Sequence, residues 1–174
     1  ALLVSSLHAY LTAYLETGGP LVDLFQRLNR AIYRASTDDR FITAFVGFFD
    51  PATGMVETIS AGHNPVYLLE KDASVKELSQ GGVALGMLDM DFPYQSEIIT
   101  LQPGDRLLLY TDGVTEALNA KREQFEVDRL TKVIMANRSH SAEEIMHKIQ
   151  KELKAFVDGQ PQFDDITLMV VKAV

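Results

Sequence analysis

The hydrophobic positions at the start of the chain recur at helical spacing. In residues 1–16 they fall three or four apart, the period of an amphipathic helix, and Gly18-Gly19 then breaks the pattern. Pro20 follows at a position that suits the first turn of a second helix. We expect the two helices to pack as a helical hairpin. The buried face of the second is predicted to consist of Leu21, Leu24, Phe25, Leu28 and Ile32.

After a polar break at residues 36–40, the pattern becomes typical of β-strands. Residues 41–49 and 55–60 are predicted to form an antiparallel hairpin around a turn that holds Pro51 and Gly54. The glycine-rich segment 81–86 lacks the spacing and the lysine of a phosphate-binding loop, and we expect a flexible surface loop there. Further short strands are predicted at residues 66–69, 75–78, 96–101 and 107–110, with a polar turn at 71–74.

The last third of the chain returns to helical spacing before a final strand. Apolar residues at 127, 130, 133 and 134 predict one helix. Ser141 and Glu144 have the spacing of a capping box and predict the start of another, with Ile145, Ile149 and Leu153 on its buried face. Residues 163–171 are predicted to form a strand that begins with paired carboxylates.

The composition indicates to which class of protein the chain belongs. The 174 residues are 47% hydrophobic and 23% charged, which is typical of a soluble globular protein, and we expect a single domain over residues 1–174. A net charge of −8 argues against a nucleic-acid binder. No apolar stretch approaches the roughly 20 residues of a membrane-spanning helix. The absence of cysteine excludes disulfides and thiolate metal sites and fits a reducing cytoplasm.

Carboxylates stand at the ends of two predicted strands. The apolar run 107–110 stops at Asp112-Gly113, where the chain can turn and leave the carboxylate at the strand end. The alternative is that Asp-Gly merely closes a hairpin. Asp164 and Asp165 stand at the mouth of the last strand. If the two strands lie side by side, Asp112 and Asp164 or Asp165 would form a cluster of hard oxygen ligands suited to Mg²⁺ or Mn²⁺.

The pair His63-Asn64 lies between two predicted strands. These residues are either catalytic or serve to tie down a loop through hydrogen bonds between side chain and backbone. The second role is the more common one for such residues, and we favour it.

An ordered series of motifs closely resembles the SpoIIE/RsbU branch of the PPM (protein phosphatase 2C-like) metal-dependent serine/threonine phosphatases. The resemblance runs the whole length of the chain and is more specific than any one motif. The series is Phe41-Ile42-Thr43-Ala44, Asp50-Pro51-Ala52-Thr53-Gly54, Ala61-Gly62-His63-Asn64-Pro65, Leu85-Gly86, Pro103-Gly104-Asp105, Tyr110-Thr111-Asp112-Gly113-Val114-Thr115-Glu116-Ala117 and Asp164-Asp165-Ile166-Thr167-Leu168.

The resemblance implies an α+β fold, a four-layer α/β/β/α sandwich of two antiparallel sheets flanked by helices. It also implies a centre of two Mn²⁺ or Mg²⁺ ions at one end of the sheets. In the family, the Asp of the Thr-Asp-Gly motif and the first Asp of the Asp-Asp-Ile-Thr motif bind metal, which carries over to Asp112 and Asp164. Gly113, Asp165, His63 and Asn64 would support the site.

The activity implied by the resemblance is hydrolysis of phosphoserine or phosphothreonine on a regulatory protein, of the anti-anti-sigma type, in the cytoplasm. A water activated by metal would attack the phosphorus, so no protein nucleophile is expected.

One departure from the family pattern changes these expectations. A Gly-Asp-aromatic-Asp motif and an Asp-x-Ser-Gly-His-Gly motif stand upstream in the family, and neither is present here. The chain opens on Ala1 without an initiator Met, and we expect it to be the interior of a longer protein that lacks the first strands and half of the metal-binding carboxylates. We therefore expect impaired activity, and exposed sheet edges that favour pairing of two chains into a dimer.

Two other functions remain open at this point. The first is a non-catalytic, phosphatase-like regulatory domain that binds a sigma-factor regulator. The second is a small acidic metal-binding module unrelated to phosphatases. Retention of both Asp112 and Asp164 favours a catalyst, because a scaffold has no physical need for two carboxylates at neighbouring strand ends.

Overall fold

Two helices open the chain, strands occupy its middle, and further helices precede a final strand. The computed structural model describes residues 2–36, 40–72 and 74–174, so part of the predicted polar break, 37–39, and Ala73 of the predicted turn lie outside the described residues. The elements are α1 (Leu2–Thr17), α2 (Leu21–Ala35), β1 (Ala44–Asp50), β2 (Met55–Ala61), β3 (Val66–Leu69), β4 (Val75–Leu78), β5 (Gly81–Gly82), β6 (Glu97–Thr100), β7 (Arg106–Tyr110), α3 (Asp112–Thr115), α4 (Glu126–Ala136), α5 (Ala142–Val157) and β8 (Leu168–Lys172).

These elements form two compact units. The first consists of the chain up to His63 together with Leu78–Thr100, and the second of Asn64–Glu77 together with Leu101–Val174. Each unit contains a four-stranded sheet and its own helices. Within the described ranges, no helix is both long enough and apolar enough to cross a membrane.

Helices α1 and α2 pack together in the first unit. All five apolar residues predicted for the inner face of α2 are buried, and Leu7, Leu11 and Tyr14 of α1 pack against the same core. Gly18 ends α1 with a positive φ of 68°, a conformation that glycine adopts without steric cost. The predicted helical hairpin is confirmed.

Strand β2 is the centre of the first sheet. It pairs with β1 along its whole length, from Met55 opposite Asp50 to Ala61 opposite Ala44, which confirms the predicted hairpin. On the other side it pairs antiparallel with β6. The short strand β5 also pairs with β2 but runs parallel to it.

The glycine-rich segment 81–86 belongs to the first sheet, and the expectation of a flexible surface loop is wrong. A Cβ atom on Gly81 would lie 1.7 Å from the carbonyl oxygen of Ser60, so only glycine allows β5 to approach β2. A Cβ atom on Gly82 would lie 2.5 Å from the ring of Phe92. Leu85 is fully buried. The glycines therefore permit close packing, which local sequence does not distinguish from flexibility.

A buried asparagine on α2 organises the segment that follows these glycines. The side-chain amide of Asn29 donates to the carbonyl oxygens of Leu88 and Met90, both at 3.0 Å, and its oxygen accepts from the N–H of Gly86 at 2.9 Å. On the neighbouring position, Arg30 forms an ion pair with Asp91. Helix α2 thus fixes residues 86–91 through polar contacts that the hydrophobic pattern did not predict.

The second unit is built on a sheet of order β4-β3-β7-β8. Helices α4 and α5 cover its core through Leu130, Ile134, Ile145, Ile149 and Leu153, as predicted. The capping box of α5 is confirmed, since the Ser141 hydroxyl accepts from the N–H of Glu144 at 3.2 Å and the Glu144 carboxylate accepts from the N–H of Ser141 at 2.8 Å.

The last strand begins later than predicted. Strand β8 starts at Leu168, whereas the sequence pattern predicted a strand from residue 163. Phe163, Asp164 and Asp165 are exposed, and the N–H of Thr167 bonds to a side-chain hydroxyl instead of a ladder carbonyl. The paired carboxylates therefore lie on a loop that leads into the strand.

Candidate functional site

Strands β7 and β8 lie side by side and antiparallel in the second unit. Their register places Tyr110, the last residue of β7, opposite Leu168, the first residue of β8. The chain just after β7 therefore runs beside the chain just before β8. This pairing confirms the condition on which the predicted cluster of Asp112 with Asp164 or Asp165 depended.

Thr111 joins the two segments beyond the last ladder pair. Its N–H donates to the carbonyl oxygen of Thr167 at 3.0 Å, and its hydroxyl accepts from the N–H of Thr167 at 2.8 Å. The same hydroxyl donates to the carbonyl oxygen of Asp165 at 2.9 Å. A hydroxyl can both donate and accept, so this one side chain satisfies two backbone groups of the opposite segment. Thr111 belongs to a motif of the sequence, but the motif by itself predicted no role for it.

Gly113 lies against the same segment. A Cβ atom at this position would lie 2.4 Å from the carbonyl oxygen of Asp165, a distance that real Cβ atoms essentially never show. The glycine is required here by space, and it is buried. Residues 112–115 form the short helix α3, and β7 pairs with the distant β8, so the hairpin alternative for Asp-Gly is wrong.

The two predicted ligand carboxylates are exposed and each is bonded to the next backbone N–H. The Oδ1 atom of Asp112 accepts from Gly113 at 3.0 Å, and the Oδ1 atom of Asp164 accepts from Asp165 at 2.7 Å. The Oδ2 atom of each accepts no hydrogen bond from the described part of the chain. Each carboxylate therefore keeps a hard oxygen atom available to a cation.

The donor set fits Mg²⁺ or Mn²⁺ in its chemistry but is small. Carboxylate oxygens are the ligands that these ions prefer. Among the described residues, however, no group of three or more His, Cys, Asp or Glu side chains is placed to hold a metal ion. Two carboxylates supply a minority of the coordination positions of such an ion, and water or further ligands must supply the rest.

The rings of Tyr67 and Tyr110 stack beside this end of the sheet, with centroids 6.2 Å apart. Burial raises the pKa of Tyr110, and the adjacent Tyr67 adds to the rise. The Tyr110 hydroxyl therefore stays protonated at neutral pH and is not a candidate general base.

The structure brings together four of the six predicted site residues, namely Asp112, Gly113, Asp164 and Asp165, all in the second unit. His63 ends a segment of the first unit, where its carbonyl oxygen accepts from the Ser60 hydroxyl at 3.5 Å, and Asn64 begins the second unit. A supporting role for His63 and Asn64 stays a prediction.

A groove that the sequence did not predict lies next to the carboxylates. It has a volume of about 540 Å³, and its lining includes Gly113 and Asp164. Helix α5 contributes Gln150, Leu153, Lys154 and Val157 to it. These positions are spaced by three and four residues and so form one stripe along the helix, a signal that the sequence does contain.

Comparison with known protein families identifies the family of this chain. The family model described as Stage II sporulation protein E (SpoIIE) matches residues 1–174, the whole chain. The chain belongs to the SpoIIE family.

Two relatives show how much of a SpoIIE family protein this chain represents. It is 37% identical over 131 residues to Protein IcfG of Synechocystis sp., which covers 75% of this chain and 20% of that protein. It is 30% identical over 173 residues to the phosphoserine phosphatase RsbU of Bacillus subtilis, which covers 99% of this chain and 51% of that protein. The chain therefore spans about half or less of the length of these relatives.

A solved structure confirms the fold class of this SpoIIE family member. The SiaA-PP2C domain of Pseudomonas aeruginosa matches 100% of the chain with a TM-score of 0.82 at 19% sequence identity and is itself covered to 70%. The predicted α+β class of PPM phosphatases, with two sheets flanked by helices, is confirmed.

Proposed function

We propose that this chain is part of a metal-dependent phosphatase that hydrolyses phosphoserine or phosphothreonine on a regulatory protein of the anti-anti-sigma type in the cytoplasm. The observation that carries the proposal is the placement of Asp112 and Asp164 on adjacent segments joined by Thr111. Membership of the SpoIIE family and the similarity to the phosphoserine phosphatase RsbU support it.

In this proposal Asp112 and Asp164 hold Mg²⁺ or Mn²⁺, with two ions in the intact catalytic domain. Such ions, when bound, neutralise charge on the phosphoryl group and activate a water molecule for attack on phosphorus. No protein nucleophile is then needed.

The metal requirement follows from charge. Two exposed carboxylates on neighbouring segments repel a phosphate dianion, so the phosphorylated side chain can approach only when cations reverse the local charge. Thr111 keeps the two segments in register, and Gly113 leaves room for the Asp164-Asp165 backbone. These residues act by fixing the separation of the two carboxylates.

We expect weak metal binding and slow turnover from this chain. Its described residues supply two carboxylates for the site and no group of three, so an ion would depend on water for most of its coordination. Metal affinity that depends on so few protein ligands should fall to nearly nothing when either carboxylate is neutralised.

Calorimetric titration with Mn²⁺ tests the site. Asp112→Asn and Asp164→Asn keep the shape of the side chain and remove its charge, and each is expected to abolish binding. Asp158→Asn is the matched control, because Asp158 caps α5 in the left-handed region with φ 44°, which Asn also tolerates. Binding that survives both substitutions would overturn the assignment.

Hydrolysis of a phosphoserine protein, with and without Mn²⁺, tests the activity. Stimulation by Mn²⁺ in the control variant and its loss in the two site variants is the expected result. Metal binding without hydrolysis would instead favour the non-catalytic regulatory domain.

A further inference from the structure

The groove beside the candidate site is bounded by the C-terminal half of α5 and by residues 160–166. Its volume of about 540 Å³ lies within the range of roughly 300–1,000 Å³ that is typical of ligand sites. Because Gly113 and Asp164 belong to its lining, the groove is continuous with the segments that carry the carboxylates. A molecule that binds at the carboxylates can therefore extend into it.

The groove has an apolar floor with an exposed aromatic edge. Leu153 is 8% exposed and closes the floor from α5, and Val157 and Ile166 also line it. Phe163 is 76% exposed and directly precedes Asp164, the predicted metal ligand. Apolar surface around a concave site is suited to burying an apolar side chain of a partner.

The polar groups of the groove suit an extended polypeptide. Gln124, Gln150 and Gln160 line it, and their side-chain amides make no hydrogen bond within the described part of the chain. Gln162 differs, since its amide donates to the carbonyl oxygen of Asp164 at 2.7 Å and so holds the loop. Each free amide offers both a donor and an acceptor, the pair of groups that a peptide backbone also presents.

Charge in the groove is divided between its two sides. Glu116 and Asp164 lie on the segments that carry the candidate site, whereas Lys154 lies on α5. Lys154 is the one cation in the lining, and among the described residues no carboxylate forms an ion pair with it. The α5 side is thus complementary to an acidic side chain of a partner.

We propose that this groove binds the polypeptide that flanks the phosphorylated residue of the substrate, and that it prefers an extended flank with one apolar and one acidic side chain. The inference rests on the proposed function, because that function defines the residue to which the flank is attached. The carboxylate pair then provides the chemistry, and the groove provides the sequence preference. Phe163 and Lys154 are the residues that determine this preference.

A charge exchange between protein and peptide tests the proposal. The probes are two fluorescein-labelled peptides whose central serine is flanked by leucine and glycine, one with an added aspartate and one with lysine in its place. Fluorescence anisotropy with the unphosphorylated peptides reports on the groove alone. We expect this chain to bind the aspartate peptide roughly fivefold more tightly, and Lys154→Glu to reverse the preference.

Two matched variants act as controls. Lys151→Glu makes the same charge change one turn away on the exposed surface of α5, outside the groove, and should keep the preference for aspartate. Phe163→Ala should weaken the binding of both peptides several-fold. Met169→Ala, which truncates another exposed apolar residue, should leave their binding unchanged. Equal behaviour of Lys154→Glu and Lys151→Glu, or of Phe163→Ala and Met169→Ala, would overturn the proposal.

The phosphorylated forms of the same peptides separate this inference from the proposed function. If Mn²⁺-stimulated hydrolysis occurs at the same kcat/KM for both peptides, the groove assignment fails and the phosphatase stands. If charge reversal is seen in binding but no variant hydrolyses either peptide, the proposed catalytic activity of this chain fails and the groove stands as a peptide site.

Discussion

Thr167 donates its backbone N–H to the hydroxyl of Thr111 at 2.8 Å, and this bond continues the pairing of β7 and β8 past the last ladder pair. A side chain takes the place of a backbone acceptor at the point where the two carboxylate segments meet. The relative position of Asp112 and Asp164 therefore depends in part on the Thr111 hydroxyl, beside the bond from the Thr111 N–H to the carbonyl oxygen of Thr167.

Replacing Thr111 with valine keeps the shape of the side chain and removes the hydroxyl. The N–H of Thr167 and the carbonyl oxygen of Asp165 then both lose a partner, and we expect the free energy of unfolding to fall by about 2 kcal/mol. Urea unfolding measures this loss. Thr131→Val is the control, since its hydroxyl bonds only to carbonyl oxygens of its own helix. Equal losses in the two variants would contradict the role given to Thr111.

Replacing Gly113 with alanine should displace the loop before β8. The added methyl group would lie 2.4 Å from the carbonyl oxygen of Asp165, so one segment must move, at a cost of about 1–3 kcal/mol. We expect lower thermal stability and weaker Mn²⁺ binding together. Gly47→Ala is the control, because its nearest neighbour atom would be at 3.4 Å, an ordinary contact. An unchanged melting temperature in Gly113→Ala would show that the loop before β8 can move without a cost in stability.

Replacing Asn29 with leucine should strongly destabilise the first unit. Leucine has the same branched side-chain shape, although a larger volume, and leaves the N–H of Gly86 and the carbonyl oxygens of Leu88 and Met90 without their partner. We expect a loss of about 2–4 kcal/mol in the free energy of unfolding. Gln26→Leu makes the same kind of change on the same helix, at a side chain with no such bonds in the described chain, and should cost little.

Acid should weaken the start of α5 through Glu144. Its hydrogen bond with the backbone of Ser141 lowers the pKa of this carboxylate below its ordinary value of 4.5. A lowered pKa in the folded state means that the contribution is complete above pH 4.5 and is lost as the pH falls through the folded-state pKa. Glu144→Gln retains the capping bonds without a titrating group, so its stability should lose this part of the acid dependence.

A double-mutant cycle isolates that effect. Ser141→Ala removes the hydroxyl but keeps the backbone N–H that donates to the Glu144 carboxylate, so Glu144→Gln should still remove most of this pH dependence in that background. A Glu144→Gln substitution that changes the pH dependence only when the Ser141 hydroxyl is present would show that the hydroxyl, and not the backbone N–H, is its cause.

Several features of this protein could be predicted because they depend on neighbours in the chain. The inner face of α2, the capping box of α5 and the hairpin of β1 and β2 all follow from residue spacing or turn chemistry within a few positions. The start of β8 could not be predicted in this way. The pattern from Phe163 to Val171 does not show where pairing begins, and the N–H of Thr167 finds its acceptor in the hydroxyl of Thr111.

The candidate site, too, could be predicted from the sequence only in part. Asp112 and Asp164 could be singled out from the sequence because each stands at the edge of an apolar run and within a motif of the SpoIIE family. Their roles as ligands, and those of His63 and Asn64, stay predictions. The groove could have been suspected from the stripe on α5, but its other wall comes from residues 160–166, whose position no local pattern specifies.

The sequence by itself thus determined the helices α1, α2, α4 and α5, most of the strands, and the acidic residues that are candidates for a chemical role, because periodicity, caps and turns are local properties of the chain. Only the tertiary structure decided four other features. They are the hydrogen bond from Thr111 to Asp165, the lack of space for a side chain at Gly113, the three hydrogen bonds of Asn29 and the groove beside Asp164. Each of these joins residues far apart in the chain, and the register of β7 with β8 and the packing of α2 on residues 86–91 set the distances between them.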